Sequence, residues 1–227
     1  SHNGHFIIED FLEKEGNSSD CDSFTVDGEL VFCSFNDQHF DPKAINPYTP
    51  AAFSWPSTMP QWAQEELRSE LQRLMTLLNV KTGVYNIETR LCKNGKPYIM
   101  ELAPRGGGNR LSEMMKFVSG QDLIDNCVRA AVGDSIDEIH QPDYDGYWAE
   151  IILHSERDGV FQSIEIDKTV EERFLIEKDI WVKTGDKVQG FTGANTTIGT
   201  LVLRFNTNEE MICCLSNQET WLKIIVL

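Results

Sequence analysis

Residues 83–109, GVYNIETRLCKNGKPYIMELAPRGGGN, read as two strands joined by a tight turn. Val84, Tyr85 and Ile87 lead into Glu88, and Tyr98, Ile99, Met100 and Leu102 surround Glu101 on the returning strand. Between them, Asn94-Gly95 is a strong hairpin dipeptide because both residue types tolerate positive φ. Side chains alternate across a strand, so the two carboxylates can meet across the ladder. Facing acids on a buried surface repel unless a cation lies between them, and magnesium takes one or two carboxylates together with nucleotide phosphates. Arg105, four residues past Glu101, adds a planar fork for a carboxylate or phosphate. Gly106 to Gly108 let backbone approach an anion closely. A solvated strand face is the plain alternative. Against it stand the apolar neighbours of Glu101 in YIMELAP and a glycine run longer than a turn needs.

This stretch resembles the ATP-grasp superfamily, in which an acid on one strand is followed on the next by Glu-x-Asn-x-Arg. Here the second element reads Glu101-Leu102-Ala103-Pro104-Arg105. The resemblance implies that Glu88 and Glu101 are magnesium ligands and that Arg105 holds the acceptor carboxylate or the transferring phosphoryl group. Ala103 departs from the asparagine that many members use for metal, with Asn109 as the substitute. Asn86 stands where the peptide-ligase branch has a catalytic arginine, which argues against a close resemblance to D-alanine ligase. Phe6-Ile7-Ile8-Glu9-Asp10-Phe11-Leu12 reads as an apolar strand, similar to the hinge strand that holds adenine in this superfamily; an ordinary edge strand is the alternative. By resemblance, Glu9, Asp10 and Leu12 contact adenine, and Met100 belongs to the wall behind the base. Asp20, with Asp22, falls where relatives put a ribose-binding acid. The resemblance also implies that the chain begins in the middle of such an enzyme, with its front lobes, their glycine loop and two lysines lying before Ser1. Ser1-His2-Asn3 is set aside as a tag scar.

Outward from the hairpin, residues 18–35 read as a second one, with Phe24, Val26, Leu30, Phe32 and Phe35 as its apolar positions and Asp27-Gly28 as its turn. Residues 41–60 contain five prolines and are expected to form a long irregular loop. A helix is predicted over about 61–79, with Thr58 and Gln61 at capping-box spacing, Pro60 in the first turn and a stripe of Leu67, Leu71, Leu74 and Leu78. Glu65, Glu66 and Glu70 complement its dipole. Leu111, Met114, Met115 and Val118 predict a short helix ended by Gly120, and Leu123, Ile124, Cys127, Val128 and Ala131 predict another ended by Gly133. A helix start directly after Gly106 to Asn109 suits an anion at its free amides, and a strand-to-helix connection is the alternative. Beyond residue 134, glycine-separated strands dominate, with a short helix over 208–217. That part is similar to the small β-rich domain of ATP-dependent carboxylate ligases, including the L-amino-acid ligase branch. Glu150, His154 and Glu156 there read as one wetted face rather than a metal cluster.

Length and a 41% hydrophobic content supply a real core, and the net charge of −16 opposes nucleic acid and anionic membranes. No run of about eighteen apolar residues suggests a membrane span. The six cysteines form no C-x-x-C pair and read as buried free thiols of a reducing, cytoplasmic protein. The expected fold class is α+β: an ATP-grasp second lobe over 1–133, an antiparallel sheet with helices on one face, followed by a β-rich domain over 134–227. The expected function is that of an ATP-dependent carboxylate-amine ligase using ATP and Mg2+ on a small carboxylic or amino acid, inactive without its front lobes, with a homodimer as one candidate assembly. Formyl or carboxy transfer by the same machinery, and a non-catalytic nucleotide-binding module, are the alternatives.

Overall fold

The computed structural model describes residues 4–227, so Ser1 to Asn3 lie outside it. The first part runs β1 (Lys14–Val26), β2 (Glu29–Ser34), β3 (Asp37–Phe40), β4 (Pro50–Trp55), α1 (Gln61–Leu77), β5 (Gly83–Cys92), β6 (Pro97–Ala103), α2 (Leu111–Ser119) and α3 (Leu123–Val132). The second runs β7 (Tyr147–Leu153), β8 (Gly159–Ile166), α4 (Lys168–Phe174), β9 (Leu175–Ile180), β10 (Lys187–Val188), β11 (Gly199–Phe205), α5 (Asn208–Ser216), α6 (Gln218–Trp221) and β12 (Leu222–Val226).

The antiparallel first sheet, in the order β2-β1-β5-β6, contains both expected hairpins. Asp27 and Gly28 turn β1 into β2 with φ of 51° and 88°, the conformation that a two-residue hairpin demands and Asp-Gly supplies. The β5–β6 turn is looser, closed by Cys92 and Lys96 with Gly95 at φ 76°. One face of this sheet, carrying Cys21, Ile87 and Leu91, packs on Ala63, Leu67, Leu71 and Met75 of α1. Those four recur every fourth residue, and each contributes about 1.5–3 kcal/mol by leaving water, alanine less. The expected stripe is thus corrected: Met75 is buried while Leu78 lies past the helix end and is exposed, and Leu74 is only partly covered. Thr58 does not cap α1. Its amide and hydroxyl both donate to Asp37, and Pro60 takes the cap position. Glu65, Glu66 and Glu70 lie beyond the first turn, where the dipole's pull has faded.

The second sheet runs β3-β4-β7-β11-β9, so residues 41–60 are not the irregular loop expected. Pro50 opens β4 and Pro56 follows it, so neither removes an interior ladder donor, and Ala51 to Trp55 are buried between β3 and β7. The sheet holds strands from both sides of residues 133/134, because β4, with β3 on its other edge, pairs with β7. A third sheet, β10-β8-β12, covers its far face through Phe161, Leu222 and Val226. Helix α4, whose last two residues, Arg173 and Phe174, were expected to open a strand, is capped by Asp167.

Helices lie on both faces of the first sheet rather than one. Leu111, Met114, Met115 and Val118 of α2 cover Phe24 and Phe32 and join them to Phe53, Trp55, Trp148, Ile152 and Val202 of the second sheet. This leaves the other end of that face, where the acids lie, without a helix over it. Residues Phe6 to Leu12 do not form the expected strand: no described strand pairs with them, and Phe6, Ile7, Ile8 and Phe11 are at least 80% exposed. The ladder begins at Lys14, opposite Cys92. Among the described residues no helix is long and apolar enough to cross a membrane.

Candidate functional site

The register of three strands builds the site. Glu88 of β5 lies opposite Glu101 of β6 on one side and Asp20 of β1 on the other, so three acids form a row across the sheet. One step along, Asn86 lies between Asp22 and Ala103. A β-bulge produces the glutamate pair. Counting from the turn, Thr89 lies opposite Ile99, and an unbroken ladder would set Met100 against Glu88; one extra residue in β6 brings Glu101 there instead. Met100 is left 39% exposed at the irregularity.

Like charges gathered this closely disfavour ionisation. Burial, with Asp22 and Glu88 nearby, pushes the Asp20 carboxyl up to about 6 against the opposing effects of the Asn86 hydrogen bond and Arg105. Burial and Glu101 raise Glu88 against the pull of Arg90, 3.8 Å away. Asn86 bridges β1 by donating to Asp20 Oδ1 at 2.6 Å and Asp22 Oδ1 at 3.1 Å.

Asp22, fully buried, has a different task from its neighbours. It accepts from the Gly107 amide at 2.9 Å and from the Ser112 hydroxyl, which fastens the glycine run and the start of α2 to β1. The anion expected at these amides is therefore supplied by the chain itself. The glycines are needed for close approach: a Cβ on Gly106 would strike Ser112 Oγ, and one on Gly107 would lie 2.8 Å from Leu111 Cβ and 2.9 Å from Asn86 Nδ2. Arg105, just before this anchored loop, is exposed, donates to the Gly106 carbonyl at 2.7 Å, and lies close enough to Asp20 and Asp22 to oppose, without reversing, the upward shift that burial gives both carboxyls.

The remaining expected residues scatter. Asn109 sits at φ 50° with its side-chain oxygen accepting from Thr197 at 3.3 Å. Glu9 and Asp10 are exposed in the strandless segment, whose Leu12 carbonyl accepts from Arg90 at 3.2 Å. The wetted face expected at Glu150, His154 and Glu156 does not exist. Glu150 is fully buried between Phe53 and Val202 with neither carboxylate oxygen hydrogen-bonded, His154 is buried against Phe191 and Asp41, and only Glu156 is exposed. Burial pushes Glu150 well above the usual carboxylate range, opposed by Arg110. Arg110 itself pairs with Glu113 at 2.7 Å and Glu177 at 2.6 Å, joining α2 to β9.

A hard divalent cation fits the row. Glu88 and Glu101 offer two carboxylates side by side on adjacent strands, their repulsion partly offset by Arg90, while no group of three or more His, Cys, Asp or Glu side chains among the described residues is placed to hold a metal ion by itself. An ion held here keeps positions for phosphate oxygens and water, as magnesium prefers.

No family model matches the chain. It is 30% identical over 118 residues to carnosine synthase 1 of Gallus gallus, covering 52% of this chain and 12% of that protein. Among solved structures, an L-amino acid ligase from Bacillus licheniformis matches with a TM-score of 0.78 and 17% identity, over 96% of this chain and 53% of that one. A phosphoribosylglycinamide synthetase from Anaerococcus prevotii matches with a TM-score of 0.77 and 17% identity, over 94% and 54%. The chain thus spans about half the length of these solved structures. The shared fold is that of the C-terminal part of ATP-grasp ligases.

Proposed function

We propose, from the ATP-grasp ligase fold that the chain shares, that these residues take part in binding magnesium-ATP and in activating a small carboxylic or amino acid for attack by an amine. The observation that carries the reading is the row Asp20, Glu88 and Glu101 on the open end of the first sheet, with Arg105 two residues past the end of the strand that carries Glu101.

Glu88 and Glu101 would hold the ion, with Asp20 beside them. Bound there, magnesium would neutralise phosphate oxygens during transfer. In the reaction proposed, an acceptor carboxylate oxygen bonds to the γ-phosphorus of ATP and the bond to the ADP oxygen breaks. The amine nitrogen then bonds to the acyl carbon, phosphate departs and the nitrogen loses a proton. Arg105 would pair with the acceptor carboxylate, fixing its approach and offsetting charge, and no side-chain nucleophile is needed. Asp22 acts on this step only by holding the loop behind Arg105. The exposed segment with Glu9, Asp10 and Leu12 is proposed to meet adenine, with Met100 behind the base, and the rest of the nucleotide cleft is placed outside these residues. Asn109 is not retained as a ligand.

The test is release of ADP from ATP that depends on both acid and amine, measured on the protein at its natural length. Glu101→Gln is expected to abolish it while leaving the unfolding midpoint unchanged. Turnover retained by the variant would remove the metal role.

A further inference from the structure

We propose that the cleft behind the glycine loop receives the side chain of the acceptor, and that the acid activated here carries an apolar side chain of medium size. The proposal rests on reading Arg105 as the group that holds the acceptor carboxylate.

The cleft has a volume of ≈ 360 Å³. Ligand pockets span about 300–1,000 Å³, so this one suits a small molecule or part of one. Gly106 and Gly107, next to Arg105, form one wall. Val84 lies on the face of β5 that also carries Asn86 and Glu88, about 13 Å from Glu88 at ~3.3 Å per residue. Gly107, bonded to Asp22 and packed on Asn86, covers the face between them, so an acceptor held at Arg105 reaches the cleft around the edge of the loop.

The opposite wall is Ile124, Cys127 and Val128 of α3. The sequence pattern predicts that these apolar residues pack inward, yet the helix buries only Leu123 and Asn126, and Ile124 and Val128 remain 44% and 58% exposed. An apolar helix face turned toward a cleft that shares its far wall with the acceptor loop is accounted for by an apolar ligand group. The polar end agrees. Arg110 and Glu113 line it as an ion pair at 2.7 Å, so no uncompensated charge is offered to a charged side chain.

Cys127 gives a direct readout, because it lines the cleft and is only partly buried, while Cys213 is exposed on α5 and serves as the reference thiol. Alkylation of each by iodoacetamide would be followed by peptide mass spectrometry in the presence of L-leucine or glycine. Saturating L-leucine is expected to slow modification of Cys127 at least about fivefold, the consequence of roughly 80% occupancy, and to leave Cys213 unchanged. Glycine is expected to give no protection. Equal rates under all conditions would overturn the proposal. Ile124→Trp, at a partly exposed position that need not disturb folding, should remove the protection. In the protein at natural length it should also shift the kcat/KM ratio from leucine toward alanine by about tenfold. Leucine protection without any ADP release would retire the ligase reading and keep the pocket. ADP release with no protection, and with Ile124→Trp matching the parent, would retire the pocket alone.

Discussion

At the scale of single residues, two buried acids with opposite fates mark what the fold tolerates. Asp22 is surrounded by donors from Asn86, Gly107 and Ser112, whereas Glu150 has none for either oxygen. A carboxylate removed from water without partners holds its proton, so Glu150's folded-state pKa lies above its unfolded value. The folded state then binds more protons than the unfolded state, and stability falls as pH rises from the unfolded pKa of about 4.5 toward the folded one. Glu150→Gln removes that penalty. Its unfolding free energy is expected to match the parent near pH 4 and to exceed it by at least about 1 kcal/mol at pH 8, since each unit of displacement is worth about 1.4 kcal/mol. A gain that is the same at both pH values, measured by urea titration, would show that Glu150 is not the titrating group.

At the scale of elements, the glycine loop depends on close approach rather than on flexibility. Gly107→Ala forces a methyl against Leu111 and Asn86, and loosening the contact breaks the amide bond to Asp22. A loss of about 1–3 kcal/mol in unfolding free energy is expected, and an unchanged urea midpoint would mean that the loop relaxes without effect. Local patterns made much of this architecture legible. Asn94-Gly95 and Asp27-Gly28 mark their turns, and Gly120 and Gly133 end their helices at φ of 74° and 83°. What the patterns could not carry was non-local. The pairing of β1 with β5 joins residues about sixty or more apart, and only that pairing puts Asp20 beside Glu88 and Asp22 beside Asn86. With it known, the alternation Asp20-x-Asp22 and Asn86-x-Glu88 would have exposed the whole row. The glutamate pair itself was expected, but the bulge at Met100 that creates it leaves no trace in hydrophobic period. Strand β4 was hidden because prolines flank it, and the sequence does not show that they lie just outside the ladder. The apolar face of α3 misled for another reason: periodicity reports which residues share a face, not whether anything covers them.

At the scale of the whole molecule, α2 is the organising element. It lies between the first and second sheets, covers the Phe24 and Phe32 end of one sheet face, and leaves the acidic end open. The same helix begins at the loop that Asp22 fastens and carries Glu113, which pairs with the Arg110 at its start, so the proposed ion site, acceptor loop and side-chain pocket are mechanically continuous. The central claim is that Glu88 and Glu101 share one divalent ion with a nucleotide. Manganese substitutes for magnesium in an oxygen site and reports binding through its paramagnetic resonance signal. Titration of Mn2+ in the presence of ADP, on the protein at natural length, is expected to show one tight site in the parent. That site should weaken by at least about tenfold in both Glu88→Gln and Glu101→Gln, roughly 1.4 kcal/mol each. Binding of equal strength in the parent and in both variants would contradict the account.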